Sequence, residues 1–418
     1  MSHDLPEGIT PVQLAVIESV APNWRHDPYR SYDVLRAAGP FVPGPMDTQL
    51  VPRYREADLI MQNPDWSHAE ESELLHPDSE VELPGSFLWM EPPDHTRLRG
   101  LVSKAFTVRT VENLRGRTEQ VVADLMDKML AQGSDGTVDL LEALAYPLPL
   151  TMVCELLGVP AEAHEHVRQM SSGIARGLDP DLLLSPEELA ARTKAVHQFT
   201  EFFTELLAQR RKQPADDLIT RLVQAEAEGA RMSPTELLGT LLILVVAGHE
   251  TTVNLIGNGV LALIRNPDQF AALKADPDLA APAADEVLRY DAPVHLTTRT
   301  ARKEITVSGR TFAPGESVIV LFGSANRDPE AFVDADRLDL TRYAAGKRAN
   351  RHLSFGLGLH YCIGAPLARL EMETALRAIA TRVSAFELPQ DPPPYRPNLV
   401  VRGMSELHVR VVPQEQSR

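Results

Sequence analysis

The chain has 418 residues, of which 44% are hydrophobic and 24% charged, a composition typical of a soluble globular protein. Its formal net charge of −17 argues against non-specific binding to nucleic acid or to an anionic membrane surface. With only two cysteines, Cys154 and Cys362, a disulfide framework is implausible and a reducing cytosol fits. The N-terminus lacks a basic segment followed by an apolar core, so we expect no signal peptide and a cytoplasmic protein.

The predicted elements, taken in chain order, are mostly helices. Residues 67–93 hold many acids and prolines and few periodic apolar positions, which indicates a long surface loop or a mobile lid. Cys154 lies in an apolar helical run and is expected to pack in the core. Helical patterns cover 29–38, 95–106, 111–132, 139–157, 161–176, 186–211, 215–228, 278–290 and 365–384, and strand patterns with turn signals cover 294–320.

The clearest helix begins at Ser233-Pro234-Thr235-Glu236, a capping box with proline at the first helical position. Its pattern continues to about Asn266, which predicts roughly 50 Å of helix at 1.5 Å per residue. The apolar run Leu237 to Ala247 is about half of the roughly 20 residues that cross a bilayer, so we expect a buried helix and no membrane insertion. The sequence therefore predicts a single domain over residues 1–418, mainly α with a minor β portion.

The segment Phe355 to Gly364, with the sequence FGLGLHYCIG, places Cys362 in a glycine-framed loop directly before a predicted helix. Backbone N–H groups at a helix N-terminus stabilise negative charge and can lower a cysteine pKa below its free value of about 8.5. Glycines at 356, 358 and 364 suit a backbone that bends or approaches a large flat partner closely. A thiolate is a soft ligand that suits iron. A buried structural cysteine is the alternative.

This segment resembles the haem-binding loop of the cytochrome P450 monooxygenases, Phe-Gly-x-Gly-x-His-x-Cys-x-Gly, at every fixed position. The resemblance implies that Cys362 is the axial ligand of haem iron and that Phe355, His360 and Gly364 contact the cofactor. It also implies the family fold, with haem between the long central helix and the cysteine loop and its helix. Thiolate ligation favours O–O cleavage in haem enzymes.

Ala247-Gly248-His249-Glu250-Thr251-Thr252 lies in the middle of the long helix. An acid and a hydroxyl in an apolar stretch are costly to bury, and a helix kink held by a threonine hydroxyl is the alternative to a functional site. The segment matches the oxygen-activation motif of the same family. The resemblance implies that Glu250 and Thr251 deliver protons during oxygen activation, and that Ala247 and Gly248 leave room above the iron.

Glu286 and Arg289 stand at i and i+3 on one predicted helix face, where a surface ion pair is the common outcome. In the family, such a pair binds an arginine of a later segment and supports the haem loop. By that resemblance we expect Arg337, in Asp336-Arg337-Leu338-Asp339, to be the third member.

His95 and Arg99 stand four residues apart on a predicted helix and can contact the same anion. The resemblance assigns both to haem propionate, together with Arg299 and His360. A solvated cation is the alternative for each residue taken alone. The resemblance also directs attention to a substrate pocket, which we expect to be shaped by residues 67–91 and 171–190 and by Ile243, Val246, Ala247, Val294, His295 and Leu296.

The resemblance implies haem b as cofactor and dioxygen as co-substrate, with one oxygen atom inserted into a medium-sized, largely apolar organic substrate. Electrons would come from a ferredoxin, itself reduced by an NAD(P)H-dependent ferredoxin reductase. We expect the ferredoxin to dock on a basic patch formed by Lys104, Arg109, Arg115, Arg351 and Arg369. A peroxide-driven enzyme of the same fold and a non-catalytic haem or gas sensor are the alternatives; the first would not need Glu250 and Thr251.

Overall fold

The computed structural model describes residues 8–69, 71–76, 86–133, 136–227 and 232–414, and its mainly α architecture confirms the predicted class. The helices are α1 (Pro11–Val20), α2 (Tyr29–Ala38), α3 (Tyr54–Gln62), α4 (Glu71–Leu75), α5 (Asp94–Ser103), α6 (Val108–Glu112), α7 (Arg115–Gly133), α8 (Pro147–Leu157), α9 (His164–Ala175), α10 (Pro186–Lys212), α11 (Leu218–Ala227), α12 (Pro234–Arg265), α13 (Pro267–Ala275), α14 (Ala280–Tyr290), α15 (Phe322–Ala325) and α16 (Ala365–Arg382).

The strands are short and form three small sheets. They are β1 (Val42–Pro43), β2 (Gln49–Val51), β3 (Trp66–Ser67), β4 (Thr137–Asp139), β5 (Leu296–Ala301), β6 (Ile305–Val307), β7 (Arg310–Phe312), β8 (Ser317–Leu321), β9 (Val383–Glu387) and β10 (His408–Pro413). The largest sheet has the order β1-β2-β8-β5-β3, in which β2 and β8 are parallel and the other pairs antiparallel. Its β5 strand brings the segment from Leu296 to Arg299 beside the central cavity.

Helix α12 begins and ends as its sequence predicts. The Ser233 hydroxyl accepts the Glu236 N–H at 3.2 Å, and the Glu236 carboxylate accepts the Ser233 N–H at 2.6 Å. The helix is long and apolar enough to cross a membrane, but 83% of its most apolar window is buried inside the fold. It packs against α8, α9, α14 and α16. Helix α12 is therefore the central core helix around which the other helices are arranged.

Two predicted elements differ from the structure. The single helix predicted over 139–157 is a π-helical turn, Leu141–Ala145, followed by α8, because Pro147 has no N–H to continue a preceding helix.

Residues 67–93 are not simply a surface loop. In the part that the structure describes, β3 pairs with β5, and Glu71 accepts hydrogen bonds from the N–H and hydroxyl of Thr298. Residue 70 and residues 77–85, where the same loop or lid was expected, lie outside the described residues.

Candidate active site

The loop around Cys362 is shaped by two glycines in the left-handed region. Gly356 and Gly358 have φ of 63° and 64°, and a Cβ on Gly358 would lie 2.8 Å from the backbone oxygen of Met61. These bends carry the chain back so that the Cys362 N–H donates to the Phe355 carbonyl at 2.8 Å. Gly364 has φ −81° and needs no such freedom. The cysteine side chain is thereby presented to a cavity in the centre of the molecule.

The surroundings of the Cys362 sulfur combine burial with groups that favour negative charge. Burial raises the pKa of the Cys362 thiol above its ordinary value, although the N–H groups of Gly364 and Ala365 and the guanidinium groups of Arg99 and Arg369 oppose the shift. The backbone N–H groups at the helix N-terminus do lower this pKa, but desolvation outweighs them in the protein alone. A bound cation would reverse the balance, since a thiol that coordinates a metal is deprotonated.

A buried ion-pair cluster fixes the segment that precedes this loop. Arg289 donates to both carboxylate oxygens of Glu286 at 2.8 Å, and neither side chain is exposed. Arg342, not Arg337, is the third member: its Nε lies 3.0 Å from Glu286 Oε2. Arg337 contributes only its backbone carbonyl, which accepts from Arg289 at 3.0 Å, and its side chain is exposed. The prediction of Arg337 is corrected because the chain turns after Leu338 and directs Arg342 inward.

On the opposite side of the cavity, α12 carries the acid and alcohol that the sequence predicted. Ala247, Gly248 and Thr251 all line the cavity. The Thr251 hydroxyl donates to the Ala247 carbonyl at 2.6 Å, which occupies that carbonyl with a side-chain bond. A Cβ on Gly248 would lie 3.3 Å from Val153 of α8, so this glycine also allows α8 to pack closely.

Glu250 is buried and is held on the side of α12 away from Thr251 by two residues that sequence reasoning missed. Ser172 of α9 donates to Glu250 Oε1 at 2.5 Å, and Arg396 Nη1 donates to Oε2 at 2.9 Å. Burial raises the pKa of the Glu250 carboxyl above its ordinary value. Arg396 is 21% exposed, so this chain of contacts connects the carboxylate with the surface. No local pattern pointed to Arg396, because it lies 146 residues from Glu250 in a segment without regular structure.

A third carboxyl that the sequence analysis did not select, Glu371 of α16, also lines the cavity. It is 1% exposed, and its Oε2 has no hydrogen-bond partner among the described residues. Burial raises the pKa of Glu371 well above its ordinary value, because desolvation disfavours the ionised carboxylate. One sequence signal could have found it: Glu371 lies four residues after Leu367, which also lines the cavity, on the same face of the helix that follows Cys362.

The predicted propionate residues lie close to one another at one end of the cavity. The ring centroids of His95 and His360 are 4.5 Å apart, and Arg299 and Arg99 line the same cavity. Burial lowers the pKa of Arg299 to about 10, and burial together with His360 lowers that of His95 to about 4. Both ring nitrogens of His95 lack a hydrogen-bond partner among the described residues, whereas Nε2 of His360 lies 3.4 Å from Glu91 Oε1. Buried donors without partners fit the carboxylates of haem, so the residues present fit this cofactor.

The rest of the cavity is apolar. Of the predicted pocket residues, Ile243, Val246, Ala247, Val294 and Leu296 line it, and His295 does not. His295 is corrected because its ring points the other way, where the Tyr32 hydroxyl lies 3.0 Å from its Nδ1. Side chains alternate along an extended segment, so His295 faces away from the cavity between Val294 and Leu296. Further apolar lining residues are Phe87, Leu88, Leu178, Val400 and Val401, the last two missed by sequence reasoning.

Comparison with known proteins agrees with this geometry. The family model described as Cytochrome P450 matches residues 43–409. The chain is 40% identical to cytochrome P450 monooxygenase PikC of Streptomyces venezuelae over 92% of this chain and 91% of that protein. It is 38% identical to 6-deoxyerythronolide B hydroxylase of Saccharopolyspora erythraea over 92% and 96%. The ligand-free crystal structure of Mycobacterium smegmatis CYP164A2 superposes with a TM-score of 0.86 at 37% identity, covering 96% and 100% of the two chains. This chain therefore belongs to the cytochrome P450 family and is a monooxygenase, an oxidoreductase that uses haem iron.

Proposed function

We propose that this protein, as one domain, inserts one atom of dioxygen into an uncharged, largely apolar organic molecule of medium size, using electrons from a ferredoxin. The observation that carries the proposal is the pairing of two walls across one cavity: Cys362 on one side, and Thr251 beside Glu250 on the other. Haem b bound through the Cys362 sulfur would supply the activation of dioxygen. His95, Arg99, Arg299 and His360 would hold its propionates.

The role of α12 in this chemistry is proton supply. The Thr251 hydroxyl can donate to a ligand in the cavity by releasing the Ala247 carbonyl, since one rotation of its side chain exchanges the two acceptors. Glu250 can take up a proton on the side of Ser172 and Arg396, where the cluster reaches the surface. Glu371 is a buried acid on the opposite wall and supports a second source of protons. Delivery through fixed groups limits free water at the reacting oxygen.

The substrate class is inferred from the apolar half of the cavity. Ile243, Val294 and Val400 line the cavity, and apolar residues outnumber charged ones among the described residues around it. The named activity of one relative, 6-deoxyerythronolide B hydroxylase, is compatible with such a substrate. A natural-product intermediate without a formal charge suits this pocket.

Reduction would occur at the face around Cys362, in the cytoplasm, by a ferredoxin that an NAD(P)H-dependent ferredoxin reductase keeps reduced. Of the five cations predicted to form a docking patch, Arg115, Arg351 and Arg369 form ion pairs with neighbouring carboxylates. Lys104 and Arg109 are exposed and form no ion pair within the described part of the chain. They lie near Val108 in sequence, and Val108 is 73% exposed. An exposed apolar side chain with two positive charges close to it in sequence supports docking of an acidic protein.

The test is turnover of a bound compound under isotopically labelled dioxygen, with ferredoxin, reductase and NAD(P)H. Compounds are first selected by spectral titration, as those that displace the water ligand of the iron. The proposal requires one labelled oxygen atom in the product. A product labelled only from added hydrogen peroxide, with no turnover from dioxygen and electrons, would favour the peroxide-driven alternative.

A further inference from the structure

Leu178, Val400 and Val401 line the cavity, and we call the wall that they form its roof. The roof is built from segments that are distant in sequence. Leu178 ends the 3-10 turn Arg176–Leu178 that follows α9, and Val400 and Val401 lie in the segment before β10. All three of these apolar residues line the cavity. The distance between these two segments therefore sets the shape of the space in which the proposed substrate lies.

Asp179 joins the two segments through hydrogen bonds to backbone. Its Oδ1 accepts the N–H groups of Leu399 and Val400, each at 2.9 Å, and its Oδ2 accepts the Leu399 N–H at 3.0 Å. The side chain is 1% exposed and also pairs with Arg176. Arg25 is the other cation that acts on it. A buried carboxylate with this many donors is a strong local connection, since hydrogen bonds to charged groups exceed neutral ones.

The segment that Asp179 holds is itself continuous with another wall of the cavity. The His295 N–H donates to the Val400 carbonyl at 3.0 Å, and the Arg402 N–H donates to the Pro293 carbonyl at 2.8 Å. Val294 and Val401 form an isolated antiparallel bridge between these bonds. Through one carboxylate, the turn after α9 is thus connected to both Val400 and Val294.

We propose, on the basis of the proposed function, that Asp179 is a specificity-determining positioning residue: by fixing Leu178 against Val400 it sets the depth of the substrate pocket. It contacts neither the iron site nor the substrate. Its side chain acts through the backbone of residues that do line the pocket. An asparagine could not fully replace it, because its amide nitrogen would face the Leu399 N–H and the Arg176 guanidinium in place of Oδ2, and the negative charge would be lost.

The test uses two azoles that bind haem iron, one small and one large. Imidazole reaches the iron without contacting the roof, whereas econazole is large enough to contact it. We expect Asp179→Asn to weaken econazole binding about tenfold, since buried hydrogen bonds to a charged group are lost, and to change imidazole binding less than about twofold. The measurement is the equilibrium spectral titration of each holoenzyme with each azole, expressed as the ratio of the two dissociation constants.

Asp217 supplies the matched control. It is 5% exposed, accepts the Thr220 N–H at 2.7 Å and pairs with Arg210 at 2.5 Å; neither of these partners lines the cavity, whereas Val400, a partner of Asp179, does. Asp217→Asn removes a comparable buried carboxylate and should leave the ratio of dissociation constants unchanged. Arg176→Gln, which keeps the aspartate and removes its cation, should shift the ratio in the same direction as Asp179→Asn by a smaller factor. This variant provides the answer if Asp179→Asn does not fold.

An unchanged ratio in Asp179→Asn, or in Arg176→Gln if only that variant folds, would overturn the positioning role. An equal shift in Asp217→Asn would overturn it too, because the effect would then follow from destabilisation alone. Failure of the proposed function is separate: it would appear in the unmodified protein as a product without oxygen from labelled dioxygen, whatever the ratio of azole dissociation constants.

Discussion

Thr251 and Glu250 are neighbours in sequence, but their side chains lie in different surroundings. Thr251 faces the cavity and donates to its own helix, while Glu250 is buried against Ser172 and Arg396. The alcohol is therefore placed to act on a ligand, and the acid is placed to exchange protons with the protein surface. The division of roles follows from a helix that turns about 100° per residue, so adjacent side chains cannot share a face.

Replacement of Thr251 by alanine removes the hydroxyl without disturbing the cysteine loop. We expect Thr251→Ala to bind haem normally and to lose product per electron by at least about tenfold, because unassisted protonation releases hydrogen peroxide. The measurement compares product, peroxide and NAD(P)H consumed. Thr251→Ser, which keeps the hydroxyl, is the control. Equal product per electron in the alanine variant would exclude the proton-delivery role.

Arg396 offers a test of Glu250 by pH. Burial raises the pKa of Glu250, and the adjacent guanidinium favours the ionised carboxylate, so Arg396→Gln should raise that pKa further. Proton donation by an acid falls as pH rises through its pKa. The alkaline fall in product per electron should therefore move to higher pH in Arg396→Gln.

The control for this shift is Arg117→Gln. Arg117 pairs with Glu155 at 2.6 Å and does not act on the pKa of Glu250, whereas Arg168 lowers that pKa. Arg117→Gln should leave the pH profile unchanged. A profile that is identical in Arg396→Gln and the unmodified enzyme would show that Glu250 does not limit proton supply.

At the scale of elements, helix α14 is locked to the segment before the cysteine loop by Glu286, Arg289 and Arg342. The same helix end accepts the Ser354 hydroxyl at the Leu288 carbonyl, at 2.6 Å. The Cys362 loop is thus supported by a buried charge cluster in addition to its own contacts. Such a cluster is strongly destabilised when one partner is removed.

This cluster distinguishes Arg342 from Arg337. Arg342→Ala should destabilise the fold by about 1–3 kcal/mol, because Glu286 and the Val333 carbonyl each lose a charged hydrogen-bond donor while Arg289 still pairs with Glu286. Arg337→Ala should change stability by no more than about 0.5 kcal/mol, since its side chain is exposed. Denaturant unfolding and haem content measure both. Similar losses in the two variants would contradict the assignment of Arg342.

The elements that sequence reasoning predicted are those with a local signature. The capping box at Ser233, the glycines around Cys362 and the spacing of Glu286 and Arg289 each lie within a few residues, so their geometry is decided locally. The sequence could not decide whether Arg337 or Arg342 contacts Glu286, because the direction of an irregular segment depends on distant packing. Arg396, Asp179 and Val400 were missed for the same reason: their contacts join segments 146 or about 220 residues apart.

At the scale of the whole molecule, a net charge of −17 must be reconciled with the proposed docking of an acidic ferredoxin. Most cations near the cysteine loop are neutralised by neighbouring carboxylates, while Lys104 and Arg109 are exposed beside Val108. A small basic surface on an acidic protein steers a partner to one face only. A few exposed cations are therefore enough to make the proposed docking specific.

Charge reversal at this surface tests the docking site. Lys104→Glu with Arg109→Glu should slow reduction by ferredoxin about tenfold at low salt and flatten its dependence on ionic strength. Stopped-flow reduction at several salt concentrations measures both effects. Lys194→Glu with Lys212→Glu, two exposed positions on α10, makes the same change in net charge and is the control. Unchanged reduction by ferredoxin would mean that the docking surface lies elsewhere.

The central claim is that Cys362 ligates haem iron as a thiolate, and the carbon monoxide difference spectrum of the reduced protein tests it most directly. We predict the long-wavelength Soret band of a thiolate-ligated haem for the unmodified protein. Cys154→Ser should retain this band, because Cys154 is fully buried in the core. Cys362→Ser should lose it. A Cys362→Ser protein with an unchanged spectrum would contradict the account.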